Sequence, residues 1–305
     1  MNRDRKICLK NIRRDKFLII LVLPVVVYYI LFAYMPMYGL VIAFKDYSPG
    51  RGIWGSPWVG LEHFKHFFGG FFFWRLFRNT LLISIYGIIW GFPVPIMFAL
   101  LLNEFKDGVF KRTIQTISYL PHFISLVVIC GMIVNFLSPQ NGVVNILLEK
   151  LTGGRINFLT DAKWFRTIYI SSGIWQSFGW NSIIYLAALS GIDPNLYEAA
   201  KIDGAGRLRQ IWHISLPGIQ ATVIVLFILS VGNIMSVGFE KIILLYKPTT
   251  YETADVISTY VYRVGLLNAQ YSFSAAVGFF NSVINMSLLL SCNWICKKAS
   301  GSGLW

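Results

Sequence analysis

Charged side chains are scarce in this sequence, at 13% of 305 residues, where soluble domains carry about 25%. Beside a hydrophobic content of 55%, that shortage excludes a chain that simply hides its core behind a polar surface. Cysteine is rare too. Cys8, Cys130, Cys292 and Cys296 have neither zinc-ligand spacing nor the pairing of an extracellular framework, so no disulfide and no metal is expected. His63, His66, His122 and His213 show no ligand spacing either. There is no Gly-rich phosphate loop of the Lys-Ser/Thr type and no long polar region, which excludes a nucleotide-binding or catalytic domain within the sequence. The net charge of +13 does not point to nucleic acid, because the basic residues lie in short segments beside apolar runs and form no continuous stripe with interleaved aromatics. Contact with anionic lipid headgroups accounts for them.

What the sequence does have is long apolar runs. Crossing the hydrocarbon takes about 20 apolar residues at 1.5 Å each, and windows near 17 to 35, 79 to 102, 117 to 137, 167 to 190, 217 to 239 and 275 to 296 qualify. The expected fold is an all-α membrane protein, a bundle of six transmembrane helices. The first window follows Arg13, Arg14 and Lys16 but lacks a small-residue cleavage site, so it reads as a retained helix. None of the six windows contains Asp, Glu, Lys or Arg. This weighs against the alternative of an ion-gradient-driven secondary transporter, which needs ionisable groups inside the membrane. No paired carboxylates, Ser/His pair or metal set converges in the windows, which weighs against an intramembrane enzyme.

With the N-terminus inside, Lys and Arg are about twofold denser in the cytoplasmic pieces than in the outer ones, as the positive-inside rule requires. The expected organisation is a cytoplasmic segment 1 to 16, a transmembrane domain 17 to 296 and a cytoplasmic tail 297 to 305. Pro24 in the first window, with Pro93 and Pro95 in the second, predicts kinks that neighbouring helices must accommodate. Residues 36 to 78 are rich in Gly, Pro and aromatics, and the run Phe64 to Phe77 suits a segment lying in the interface, with an aromatic belt as the plainer reading.

The most informative stretch is the loop 191 to 217. Asp193 is a good N-cap and Pro194 suits the first helical position. Glu198, Ala199 and Ala200 favour helix, and Gly204 suits a left-handed ending. A second helical piece is expected from about Gly206 to Ile214, with Pro217 opening the fifth span. Small Ala residues flanked by Glu198, Lys201 and Asp203 suit docking into a groove on another protein, as against a plain inter-helix loop resting on the membrane.

Glu198-Ala199-Ala200, Gly204, Ile214 and Leu216-Pro217 also resemble, interval by interval, the signature of the membrane subunits of bacterial binding-protein-dependent ABC importers. The resemblance implies that this loop is a coupling helix, with Glu198, Ala199, Ala200, Asp203, Gly204, Leu216 and Pro217 shaping the contact with a separate ATPase. It further implies two ATPase subunits that hydrolyse ATP with Mg, a second permease, usually a different chain, and an extracellular or periplasmic solute-binding protein. This chain itself would bind no cofactor and catalyse nothing. Residues 17 to 47, Asp255 to Arg263, Tyr271 to Gly278 and Gly303-Leu304-Trp305 resemble carbohydrate permeases related to the maltose system. Within these, they are similar to the branch that imports oligosaccharides released from complex polysaccharides.

A sugar path needs amide hydrogen bonds and aromatic stacking. The candidates are Gln176 and Asn181, with Trp175 and Trp180 beside Gln176, then Asn233, Asn281 and Asn285, and Asn135 at the end of the third window. Asn and Gln in membrane helices serve equally as interhelical hydrogen bonds.

Overall fold

The computed structural model describes residues 16 to 305; Cys8, Arg13, Arg14 and all but the last residue of the expected segment 1 to 16 lie outside the described residues. Among the described residues the regular elements are helices, with a single isolated bridge between Lys45 and Trp58 in place of strands. The described part divides into two compact units, residues 16 to 67 with Val264–Phe279, and Phe68–Arg263 with Phe280–Trp305.

In the first unit, helix α1 (Lys16–Phe44) keeps the apolar span of the first window, and none of that span is buried. It is hydrophobic on every side, which is how a helix facing lipid or another chain is built. It tightens through a π turn at Ile30–Tyr34 into a 3-10 ending at Tyr38–Phe44. The chain then folds into a hydrogen-bonded hairpin. Asp46 N donates to Pro57 O at 2.9 Å, Val59 N to Phe44 O at 2.9 Å and Lys45 Nζ to Ile53 O at 2.8 Å. Phe44 stacks on Trp58 with centroids 5.7 Å apart and meets Phe279 edge-on at 5.8 Å. The expected amphipathic run is therefore split: helix α2 (Glu62–Phe68) ends within it, and Phe73 to Phe77 belong to the next helix.

In the second unit, helix α3 (Phe73–Asn103) passes Pro93 and Pro95 with one turn residue at Phe92, because Phe92 N still reaches Ile88 O at 3.0 Å and Pro93 sits at the start of the next helical stretch. The third window is not one straight span. Helix α4 (Val109–Phe123) and helix α5 (Leu126–Phe136) meet at 98°. Pro121 closes α4 in a 3-10 turn, Ile124 is extended, and the Ser125 side chain caps α5 by accepting from Val128 N. Helix α6 (Val143–Thr152) follows. Helix α7 (Ala162–Ser190), capped by Asp161, runs 29 residues and packs mainly along α3. Where α7 meets α4, Gly179 is obligatory, since a Cβ there would lie 2.2 Å from Ser118 O.

Helix α8 (Pro194–Ile202) leads to a second bent pair, helix α9 (Arg207–Gly218) and helix α10 (Gln220–Gly232), which meet at 63°. Pro217 thus lies in the last turn of α9, and the break falls at Ile219 instead of opening the fifth span at Pro217. The fifth window is also shorter than expected. Helix α10 has 13 residues, and the chain turns through Asn233 to Gly238 into helix α11 (Phe239–Leu245). Helix α12 (Tyr271–Ser300) closes the chain.

Three of the described helices, α1, α3 and α12, are long and apolar enough to cross a membrane, and five if each bent pair is one span. The remaining window, 167 to 190, lies on α7, which is long enough but interrupted by Ser171, Ser172, Gln176, Ser177, Asn181 and Ser182.

The segment between α11 and α12 is pinned by a buried charge. Asp255 is fully buried and pairs with Arg263 at 2.7 Å and Arg75 at 3.5 Å, while Thr259 Oγ1 donates to it at 2.8 Å. Burial opposes the Arg263 charge, yet hydrogen bonding to Asp255 and Tyr246 raises its pKa above the ordinary arginine value. Asn79 Nδ2 donates to the carbonyls of Glu252 and Asp255, each at 2.9 Å, and its Oδ1 accepts from Arg166 at 2.8 Å. The start of α3, the start of α7 and the loop are thereby joined. Removing one partner of a buried pair leaves the other charge uncompensated. Asp255→Ala is expected to cost about 3–5 kcal/mol, read as a lowered midpoint for loss of monodisperse protein on heating in detergent, with Arg75→Met costing less. An unchanged midpoint in Asp255→Ala would refute this role.

Candidate functional site

Two regions are built for work: a cavity inside the second unit and the loop around α8. The cavity holds about 690 Å³ and is lined by α3 (Gly87, Gly91, Phe92 and Pro95 among others), α7 from Tyr169 to Tyr185, α10 (Leu226, Leu229, Ser230), Asn233 and Lys241. Two apolar clusters draw on the same helices and their neighbours. One gathers Ile83, Cys130, Phe165 and Ile242, and the other Ile96, Leu100, Tyr185, Leu189 and Ile219. A chamber of this size, mostly apolar with a few polar groups, suits a ligand held by selected hydrogen bonds.

Of the residues singled out from the sequence, Gln176, Asn181 and Asn233 line this cavity. Asn233 Nδ2 donates to Leu229 O of its own helix at 3.0 Å. Trp175 does not line it and is 44% exposed. Trp180 stacks on His122 at 4.6 Å and meets Phe123 edge-on. The aromatic faces of the chamber belong instead to Phe92, Tyr169 and Tyr185. Asn285 lies elsewhere and is fully engaged: its Oδ1 accepts from Met235 N and its Nδ2 donates to Ser236 Oγ, both at 2.9 Å. It closes the open end of α10. Asn281, on α12, has a buried Oδ1 without a hydrogen-bond partner and is not among the lining residues. Asn135 is exposed near the end of α5.

The charged lining residue, Lys241, was missed in the sequence reading. It stands two positions beyond the fifth window, in what reads as an outer loop. The turn after Gly232 folds it back, so that Nζ donates to Tyr169 O at 2.9 Å and lies 4.9 Å from the centroid of the Tyr169 ring. A basic residue just past a shortened apolar run was the available signal.

The α8 loop follows its expected local chemistry closely. Asp193 accepts from Asn195 N at 3.0 Å, Pro194 takes the first helical position, and no residue of α8 is buried. Gly204 has φ +75° with open space around its missing Cβ, so conformation alone requires glycine there. Glu198 and Ala199 are exposed, as are Asp203 and Gly204, while Ala200 is half-buried. Exposed apolar side chains surround them, Ile202 at 87% and Leu208 at 74%. The loop is nonetheless firmly mounted. The Tyr197 hydroxyl lies 2.9 Å from Ser215 Oγ, buried Gln210 donates to Ala205 O at 2.8 Å, and a Cβ on Gly218 would come within 2.5 Å of Ile192 Cδ1. Leu216 and Pro217 lie in α9, directly before the bend. The α8 helix is thus exposed and fixed to the base of α10.

Residues 91 to 300 match the family model described as binding-protein-dependent transport system inner membrane component. The chain is 45% identical to Protein LplB of Bacillus subtilis (strain 168), over 96% of this chain and 92% of that one. It is also 45% identical to the polygalacturonan/rhamnogalacturonan transport system permease protein YteP of the same organism, over 99% and 94%. Among solved structures, it superposes with a TM-score of 0.89 and 46% identity on a chain of a bacterial ABC transporter involved in the import of the acidic polysaccharide alginate, covering 96% of this chain and 99% of that one. A second structure of the alginate transporter, in complex with an alginate pentasaccharide-bound periplasmic protein, matches equally, at 0.89 and 46%, over 97% and 99%.

The engaged amide and the cavity amides predict different losses. Asn285→Leu strands Met235 N and Ser236, and should destabilise the protein by about 1–3 kcal/mol. Gln176→Leu and Asn181→Leu remove no hydrogen bond within the described residues and should stay within about 0.5 kcal/mol. Thermal unfolding in detergent reads the difference, and equal losses in all three would mean that the cavity amides are packing contacts.

Proposed function

Because the chain belongs to the family of binding-protein-dependent transport system inner membrane components, we propose that it carries an oligosaccharide through the cavity between α3, α7 and α10 and receives its driving motion through α8. It is a non-catalytic permease subunit of an ABC importer for carbohydrate. The oligosaccharide is of the kind released from complex polysaccharides, and it forms its contacts with Gln176, Asn181 and Asn233. The observation that supports the coupling role is the state of α8: a capped helix with no buried residue, fastened at both ends, carrying Glu198 outward and ending at the left-handed Gly204. A helix that buries nothing within its own chain is suited to burying its surface in a partner, and Ala199 and Ala200 let the backbones approach closely.

One chain offers one such lever, whereas a pair of ATPase subunits offers two clefts. A second permease therefore completes the assembly, and ATP with Mg is handled by the ATPases. A solute-binding protein delivers the sugar from the outside. The segment 1 to 16 and the tail 297 to 305 lie in the cytoplasm, on either side of the transmembrane domain 17 to 296 that contains the loop 191 to 217.

Two experiments test this reading. In a variant without native cysteines, Cys at Trp54, 82% exposed, should react with an impermeant reagent in intact cells, and Cys at Ile202, 87% exposed, only after the membrane is opened. Labelling of position 202 in intact cells would invert the orientation. In the reconstituted complex, Glu198→Lys should suppress ATP hydrolysis stimulated by loaded binding protein more strongly than Glu198→Ala. Gly204→Val should suppress it too, since a β-branched residue at positive φ costs about 1–3 kcal/mol. Full stimulation in both Glu198→Lys and Gly204→Val would show that the loop does not couple.

A further inference from the structure

We propose that Lys241 reads a carboxylate on the transported saccharide, so that the cavity takes uronate-bearing oligosaccharides in preference to neutral ones. The inference rests on the cavity being the sugar path. Lys241 is the one formally charged residue among those lining the chamber. It is only 7% exposed. Its ammonium sits against Gly173, where an added Cβ would come within 3.3 Å of Nζ, and lies near the ring of Tyr169 while donating to that residue's carbonyl.

Among the described residues no carboxylate pairs with it. The ion pairs present join Asp255 to Arg75 and Arg263, Asp107 to Lys111, Glu149 to Arg155 and Glu104 to Arg207. A buried cation without a counter-ion costs several kcal/mol, and nothing in the anchoring of α11 calls for one. Ile242 and Leu245 already hold that helix in the core, and Tyr169 OH donates to Gly238 O just before it at 3.4 Å. An apolar side chain at position 241 would seal the same place. An ionisable group kept at such a cost marks a pathway, and an ammonium with donors left over is matched by an anionic oxygen. Gln176, Asn181 and Ser230 offer neutral donors and acceptors for sugar hydroxyls, which leaves Lys241 to recognise what is charged on the ligand.

The test uses the complete transporter in proteoliposomes, with trigalacturonate and its fully methyl-esterified form each presented on saturating binding protein. Lys241→Gln, which keeps a donor for Tyr169 O, should lower turnover of the acid about tenfold or more, the equivalent of a lost charge-assisted hydrogen bond. It should change turnover of the ester less than twofold, and Lys241→Arg should restore the acid. An unchanged acid-to-ester ratio in Lys241→Gln, or an equal fall for both sugars, would overturn the proposal and assign Lys241 to packing. If Lys241→Gln does not assemble, the wild-type ratio decides, and a value at or below one overturns it. Wild-type uptake of neutral oligosaccharides alone would also overturn it while leaving the importer standing, whereas absence of ATP-driven uptake of any sugar would overturn the underlying reading.

Discussion

Backbone amides cannot be left unpaired in hydrocarbon, so a helix may break there only where side chains or a wet cavity take over its hydrogen bonds. The interruptions in this chain obey that constraint. At the break between α4 and α5, Ser125 supplies the cap. After α10, Asn285 reaches from α12 to Met235 N and Ser236. The segment that follows α11 is held by Asn79, which satisfies two of its carbonyls, and by Thr80, whose Oγ1 accepts from Ile257 N at 3.0 Å. These breaks allow the helices to enclose a chamber, because α10 stops short and α11 can fold back to place Lys241 in the wall.

The loop around α8 was legible from sequence because its determinants are local. An Asp-Pro start, a run of helix formers and a glycine at the stop specify α8 without reference to the rest of the chain, and the structure places the cap, the helix and the positive φ at the expected residues. The bends were not legible, since an apolar window reports partition into lipid and is blind to direction. Ile124 and Ile219 are as hydrophobic as their neighbours, yet both mark turns. The cavity lining was half legible. Gln176, Asn181 and Asn233 share a chamber because they lie on adjoining helices, while Asn285 is indistinguishable from them in sequence and serves as a cap. Lys241 was missed because its position depends on a reversal of the chain after Gly232 that no periodicity announces.

The α8 loop and the chamber are joined through the bend at Ile219. Ile192 abuts Gly218 at the end of α9, and Ile219, the next residue, belongs to the buried cluster with Leu189 and with Tyr185, which also lines the chamber. These contacts connect the α8 loop, the bend and the cluster as packed elements of the kind that can shift against one another as rigid bodies.

Helix α7 lines the chamber for most of its length, and its serines and amides are why. The same residues make it a poor candidate for partition into lipid on its own, because each polar group raises the cost of leaving the insertion machinery. Its glycine at 179 fits only against Ser118 of α4, and its main packing surface is α3. Both partners are synthesised before it. Biogenesis of the bundle accordingly has an order: α3 and α4 must already be in the membrane to receive α7, and a lesion in either would appear first as failure of a later, otherwise intact segment to integrate.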